Sequence, residues 1–434
     1  MNIYKKLEID SKASLELNKK YYSENLKLDF RTRAKDDERY PKALGSNIYK
    51  LINSNYRGKL EIKVLEVGAR GIYFEKGLYD EISLKDSMEN TDYAKRIEYI
   101  VLDISKAAIE NARSEYAESP GSYFKTEFMV ADILNAKLPK GLDIVIMNEL
   151  LDDLQHIVVT KKEGKLYEVT FKLGLNESNI NAPLITLQWK QLKPLEYRNV
   201  YLNEIHEALG EGQAITFSPV IDKLFNNIAS VSNEESHLII HDYFVTGGIP
   251  NKNATSLKRV YGKVDEPGIL FTDNFSKSLL QVTSDVNLHQ VLDALSRNGY
   301  AIQTLENYDL FIDKAFSRRR IYINELAHAI NALDASAKRN LLRRLGGPEL
   351  GDSIRYRQLC EALAEKLNSI LPGRFAMDYP KIAGKGGSFD VDVSSKGEVL
   401  EALYDVYRNS YAVVNPLMNI DAVKLDSFRR IKRE

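Results

Sequence analysis

The chain has little of what most metal and redox sites are built from: a single cysteine, Cys360, and six scattered histidines among 434 residues. One thiol excludes an intrachain disulfide and any multi-thiolate zinc site. The scattered histidines give a metal site little support, and none is expected. No apolar run approaches the roughly 20 residues of a membrane span. The opening residues, MNIYKKLEIDSK, have no apolar core of a secretion signal, so the expected location is cytoplasmic. Charge of one sign is also missing. The 60 basic and 61 acidic residues nearly cancel, so no global field recruits nucleic acid. No G-x-S-x-G elbow is present for serine-hydrolase chemistry.

What is present centres on Val64-Leu65-Glu66-Val67-Gly68-Ala69-Arg70-Gly71. Ile62, Val64, Leu65 and Val67 form a short apolar run that reads as a buried strand, and two glycines then break it. Helical spacing follows, with Ile72, Leu78, Tyr79 and Ile82 on one face. A strand, a glycine turn and a helix bring backbone close to a ligand beside a helix N-terminus. Glycines alone serve any tight turn, so the weight falls on the next strands. Arg96–Ile104 contains Asp103 just past Val101 and Leu102, with Ser105 as an N-cap for a helix over Lys106–Tyr116. A carboxylate at the end of a second strand can accept both hydrogen bonds of a ribose diol. Phe124–Val130 is a third strand, followed by Asp132-Ile133; Leu142–Met147 is a fourth, ending in Asn148-Glu149. Polar groups thus recur at the carboxyl ends of successive strands, where open parallel sheets bind ligands. A dinucleotide loop wants three glycines, and this one has only Gly68 and Gly71. Glu66, Asp103 and Asp132 fit an S-adenosyl-L-methionine (SAM) pattern better.

The run Met147-Asn148-Glu149-Leu150-Leu151-Asp152-Asp153-Leu154 resembles the Asn-Glu-Phe-Phe-Asp-Ala-Leu signature of the MidA family of SAM-dependent methyltransferases. Three stretches agree in order. Asp29-Phe30-Arg31-Thr32 before a helix over Pro41–Ile52 is similar to the family's Asp-Phe-x-Thr segment. Leu238-Ile239-Ile240-His241-Asp242-Tyr243 resembles its Ile-Asp-Tyr-Gly strand, and Gln281–Leu288 its Thr-Ala-His-Val-Asp-Phe stretch. The sequence departs from the family in a first loop one residue shorter, in Leu150 and Leu151 for two phenylalanines, in Phe244 for glycine and in Ser284-Asp285 for Ala-His. The family includes the mitochondrial arginine methyltransferase that assists assembly of respiratory complex I. The resemblance therefore implies a protein arginine as acceptor, and Asp29–Thr32 lying over the cofactor.

Elsewhere, Ile157–Phe171 with Gly164 in a polar turn reads as a hairpin, and Pro183–Leu192 as a third strand anchored by Trp189. Tyr201–Leu209 and Thr216–Ala229 read as helices, the second with Ser218 at its cap and Pro219 at its first position. His237–Phe244 is a fifth strand, Gly247–Gly268 a loop, Val286–Arg297 a helix and Tyr300–Leu305 a closing strand. Amphipathic spacing predicts three helices, around Ile323–Leu333, Ile354–Ile370 and Val399–Tyr407, with basic edges such as Arg318-Arg319-Arg320.

The expected fold is α/β: a Rossmann-like methyltransferase sheet with a β-hairpin insertion and helical additions at both ends. The segments are 1–58, helical; 59–314, the methyltransferase domain with its insertion at about 155–205; and 315–434, helical. Glu66, Gly68 and Gly71 are assigned to the methionine moiety, Asp103 to the ribose, and Asp132 with Ile133 to the adenine, Asp132 also being a candidate helix cap. Asn148, Glu149 and Asp152 are the candidate catalytic residues. A protein acceptor is expected. Methylation of RNA or a small molecule, or a catalytically weak SAM-binding assembly factor, are the alternatives.

Overall fold

The computed structural model describes residues 7–9, 16–18, 39–69, 71–118, 121, 123–174, 184–193, 200–263, 279–315, 318–322, 388–392 and 417–425. Two compact units emerge: Met1–Leu305 with Met418–Glu434, and Glu306–Leu417.

In the first unit, strand β1 (Leu7–Ile9) precedes helix α1 (Arg39–Leu51), which runs on into a π-helical turn, Ile52–Tyr56. Strands β2 (Ile62–Val67), β3 (Ile97–Asp103), β4 (Lys125–Val130) and β5 (Leu142–Asn148) are joined through helices α2 (Tyr73–Glu89) and α3 (Lys106–Glu118). The Ser105 hydroxyl accepts the Ala108 N–H and caps α3, as the sequence predicts. Gly45, an oddity within a helix, has a packing reason. A Cβ there would lie 2.9 Å from Glu81 Cβ, and one on Gly77 would lie 2.5 Å from Pro41 Cβ, so α1 and α2 meet through their glycines.

The insertion follows: β6 (Ile157–Lys162), β7 (Lys165–Gly174), β8 (Leu184–Gln191), α4 (Val200–Ala208) and β9 (Gln213–Phe217). The β6–β7 hairpin turns through Glu163 and Gly164, both at positive φ, which matches the twist of its strands. Two expectations fail here. Thr216 and Phe217 belong to a strand because β9 alternates, with Ala214 and Thr216 buried on one side and Ile215 and Phe217 on the other. Trp189 is half exposed on β8 and anchors little; Val159, Leu166, Tyr201, Leu202, Ile205 and Phe217 form the core at that place.

Next come α5 (Ile221–Val231), β10 (Ser232–Val245) and β11 (Ile249–Pro250), which completes an antiparallel sheet in the order β1-β7-β6-β9-β11 with β8 beside β7. The expected loop after Gly247 instead holds a 3-10 helix, Asn251–Leu257, and β12 (Lys258–Lys263), antiparallel to β13 (Leu279–Ser284). β14 (Val286–Asn287) lies beside β10, and the Asn287 side chain accepts the Gln290 N–H to cap α6 (Leu288–Arg297), which β15 (Tyr300–Asn307) follows.

In the second unit, α7 (Tyr308–Ala315) precedes β16 (Arg318–Tyr322), which pairs antiparallel with β17 (Ser388–Asp392). The three helices expected from spacing after residue 322 lie outside the described residues. β18 (Leu417–Lys424) then takes a place in the central sheet, whose order is β4-β3-β2-β5-β10-β18-β15. Strands thus occur in a stretch expected to be helical, and β18 separates the closing strand β15 from β10. Lys424 Nζ donates to the carbonyls of Ala229 and Ser232, and Leu425 N–H donates to Gly299.

The neighbours β4-β3-β2-β5-β10 are all parallel. One sheet face packs Leu65, Leu102, Val145 and Ile240 against Leu224 and Phe225 of α5 and Val291 of α6. Strands buried on both faces carry the continuous apolar runs by which the sequence announces them.

Candidate functional site

The chain order reverses between β2 and β5: strands to one side of β2 are β3 and β4, and to the other β5 and β10. A crevice opens at such a switch point beyond the carboxyl ends of the strands. A cavity of about 200 Å³ lies there. Gly68, Asp103, Asp132, Ile133 and Glu149 line it, as the sequence proposed, together with Leu150 and Asp153.

Gly68 stands at φ +79°, and its N–H donates to the Leu102 carbonyl at 2.8 Å, tying the turn to β3. A Cβ on Gly68 would sit 3.1 Å from Leu150 Cδ1, so the turn passes under the β5 loop at the closest separation glycine permits. Asp103 is buried; its Oδ1 accepts the Ser105 N–H at 2.7 Å. Asp132 acts as a cap, one of the two readings offered for it. Its Oδ1 accepts the Leu134 N–H and its Oδ2 the Asn135 side-chain N–H, each at 3.0 Å, so it caps the turn 133–135 while lining the cavity.

Glu149 adopts φ +47°, a left-handed conformation that costs a non-glycine residue about 1–3 kcal/mol and is found where surroundings enforce it. Its N–H donates to the His241 carbonyl at 2.7 Å, and the Tyr243 hydroxyl stands 3.5 Å from its Oε1. Behind it, the fully buried Asp242 accepts the Leu151 N–H at 2.7 Å and the Asp152 N–H at 3.4 Å on Oδ2, and the Tyr243 N–H at 2.8 Å on Oδ1. Burial, with the Glu149 charge, pushes the Asp242 carboxyl well above the usual range against the pull of these donors.

Glu66, Gly71, Asn148 and Asp152, also proposed from sequence, do not line the cavity. Period-two alternation turns Glu66 to the opposite side of the strand from Val67. Glu66 Oε2 accepts the Tyr99 hydroxyl at 2.8 Å, and burial pushes its carboxyl up to about 8. Nearby Glu75 is raised to about 7, also by burial, and accepts the Thr126 hydroxyl. Asn148 ends β5 with its Oδ1 buried and accepting no hydrogen bond among the described residues. Asp152 sits in a 3-10 turn, Leu151–Asp153, and the neighbouring Asp153 takes the cavity side.

Sequence reasoning missed Asn18. Its side chain accepts the Val282 N–H and donates to the carbonyls of Val282 and Asp153, at the cavity wall. No local signal could have found a contact made across 135 and 264 residues. Asp29–Thr32 lies outside the described residues. His237 and His241, four apart, would pair as ligands on a helix, but on β10 that spacing separates them by roughly 13 Å.

The cavity is lined by four carboxylates (Asp103, Asp132, Glu149 and Asp153) and, among the described residues, by no lysine or arginine. It suits a ligand with positive charge and hydroxyl donors. SAM, with its sulfonium, α-amino group and ribose diol, is such a ligand. Ile104, Ile133, Leu134 and Val220 add apolar wall for a planar base. The residues present fit this cofactor.

No curated protein matches the sequence. A crystal structure of an uncharacterized protein from Burkholderia thailandensis is 12% identical, with a TM-score of 0.50, over 95% of this chain and 86% of that one. A second from the same organism, bound to S-adenosyl-homocysteine, is 12% identical, with a TM-score of 0.46, over 84% of this chain and 79% of that one. Residues 43–301, more than half of the 434, match the family described as "Putative S-adenosyl-L-methionine-dependent methyltransferase". The chain belongs to that family, whose cofactor is S-adenosyl-L-methionine.

Proposed function

We propose that the chain methylates an arginine side chain of a protein, and that Glu149 and Asp153 receive the guanidinium. The observation that carries this reading is that every charged residue lining the cavity, among the described residues, is acidic. When bound, SAM supplies an electrophilic methyl group on a sulfonium. Asp103, with one oxygen committed to Ser105, would accept from the ribose diol. Asp132 and Ile133 would border the adenine, and Gly68 would give backbone room at the methionine end.

A guanidinium is a poor nucleophile because its charge is delocalised and its pKa exceeds about 12. Carboxylates gripping two of its nitrogens hold the plane fixed and concentrate positive charge there. The third nitrogen keeps more lone-pair character. Glu149 and Asp153, both at the cavity, are placed to do this, whereas Asp152 is tied through its backbone to Asp242. The MidA resemblance further suggests an acceptor in a respiratory assembly.

The test is Glu149→Gln, assayed with radiolabelled SAM and cell lysate. Labelling of protein arginine should fall by orders of magnitude while SAM affinity stays near wild type. Label on RNA, on lysine or on a small molecule would refute the arginine reading; SAM binding without any turnover would favour the assembly-factor alternative.

A further inference from the structure

The turn that carries the candidate acceptor carboxylates is gripped from both ends by side chains remote in sequence. Its leading N–H groups, Leu151 and Asp152, converge on Asp242 Oδ2. Its closing carbonyl, Asp153, accepts from Asn18 Nδ2 at 3.0 Å. A 3-10 turn of three residues has too few internal bonds to hold itself; here they are Asp153 N–H to Leu150 and Leu154 N–H to Leu151, both at 3.2 Å. Glu149, just before the turn, nonetheless keeps a left-handed backbone that non-glycine residues leave readily.

Both gripping groups are fixed by further bonds. Asp242 is fully buried within β10, and its other oxygen accepts the Tyr243 N–H. Asn18 is buried and pairs with both backbone groups of Val282. Neither is replaceable by shape alone. An asparagine at 242 would turn an N–H₂ toward one of two sets of N–H donors, and an alanine at 18 would strand three backbone groups.

We infer that Asp242 and Asn18 are positioning residues that clamp the Glu149–Asp153 turn in its cavity-facing conformation, setting the acceptor end of the site without contacting the acceptor's reacting atoms. The inference rests on the acceptor reading of Glu149 and Asp153. Asp242 also gives a physical role to the Asp-Tyr pair of the fifth strand.

Amide hydrogen exchange, calorimetry with S-adenosyl-homocysteine and transfer of label from SAM to lysate protein are measured on wild type, Asp242→Asn and Asn18→Ala. In Asp242→Asn, whose side chain does not line the cavity, S-adenosyl-homocysteine affinity should stay within about threefold. Exchange at Leu151 and Asp152 should quicken at least about tenfold, and label transfer should fall by more than the loss of folded protein explains. Should Asp242→Asn not fold, Asn18→Ala alone decides. Exchange unchanged at those amides overturns the clamp; faster exchange with undiminished transfer overturns its positioning role. A wild-type protein that labels no arginine defeats the acceptor reading, and the clamp is then judged on exchange alone.

Discussion

Glu66 is a residue whose substitution by glutamine should raise stability, and only above mildly acidic pH. Its carboxyl is enclosed beneath the sheet with the Tyr99 hydroxyl 2.8 Å away, and burial lifts it from 4.5 to about 8. Between those values the unfolded chain has released its proton and the native protein keeps it. Native protein therefore binds more protons, and stability must fall as pH rises through this window. A rise from 4.5 to about 8 corresponds to about 5 kcal/mol at full ionisation, an order-of-magnitude figure. Glutamine keeps the volume and can still accept from Tyr99, but it has no proton to lose. Glu66→Gln should thus be within about 1 kcal/mol of wild type near pH 5, since both side chains are then neutral in the fold. By pH 8 it should be the more stable by several kcal/mol, with a Tm gap that widens steadily. The assay is urea and thermal unfolding of both proteins at pH 5, 6.5 and 8. A variant whose stability declines with pH as steeply as wild type would refute the reasoning. So would a large loss of SAM affinity, because it would put Glu66 in contact with the cofactor.

Asp103→Ala should weaken SAM binding by at least about tenfold, since hydrogen bonds to a charged acceptor contribute roughly 1.5–3 kcal/mol each; calorimetry showing unchanged affinity would remove Asp103 from the ribose site. Gly68→Val should abolish SAM binding and lower the Tm, because the new side chain meets Leu150 and a branched residue strains at φ +79°. Asn287→Ala removes the α6 cap and should cost about 1 kcal/mol in unfolding free energy, leaving SAM affinity intact. Glu75→Gln should flatten the decline of stability with pH over a narrower window than Glu66→Gln, because its carboxyl is raised only to about 7.

The parallel strands were legible because burial on both faces leaves β2, β3 and β5 mostly apolar, with short Ile, Val and Leu runs within them. The candidate site residues drew notice for the same reason: Asp103 and Glu149 stand where two of those apolar runs stop. What failed was competition between signals. Ser218-Pro219 looks like a helix start, but the helix begins at Ile221 and the Ser218 hydroxyl donates to the Gln155 carbonyl instead, while the alternation of β9 over five residues is too short to outweigh that helix signal. β18 reads Leu-Met-Asn-Ile-Asp-Ala-Val-Lys, with polar residues that make sense only once His237 is seen to meet Asp421 across the sheet. Glu66 looked like a ligand because motif spacing does not say which face of a strand a residue takes. Asn18 carried no signal, since its partners exist only after the fold has closed.

The place of β18 bears on the order in which the sheet can be finished. β10 and β15 are made well before residue 417, yet their seat belongs to a strand beyond the whole of Glu306–Leu417. Until that strand arrives, the backbone edge of β10 beyond β5 stays open, and open edges recruit other chains. Closing it brings together segments more than a hundred residues apart, a slow step by loop-closure entropy. The central sheet thus draws one strand from beyond the second unit in sequence, and truncation from the C-terminal side removes that strand. A chain ended near residue 305 would lose a strand and gain a sticky edge, whereas an internal deletion joining 305 to 418 through a short linker would keep the seat filled.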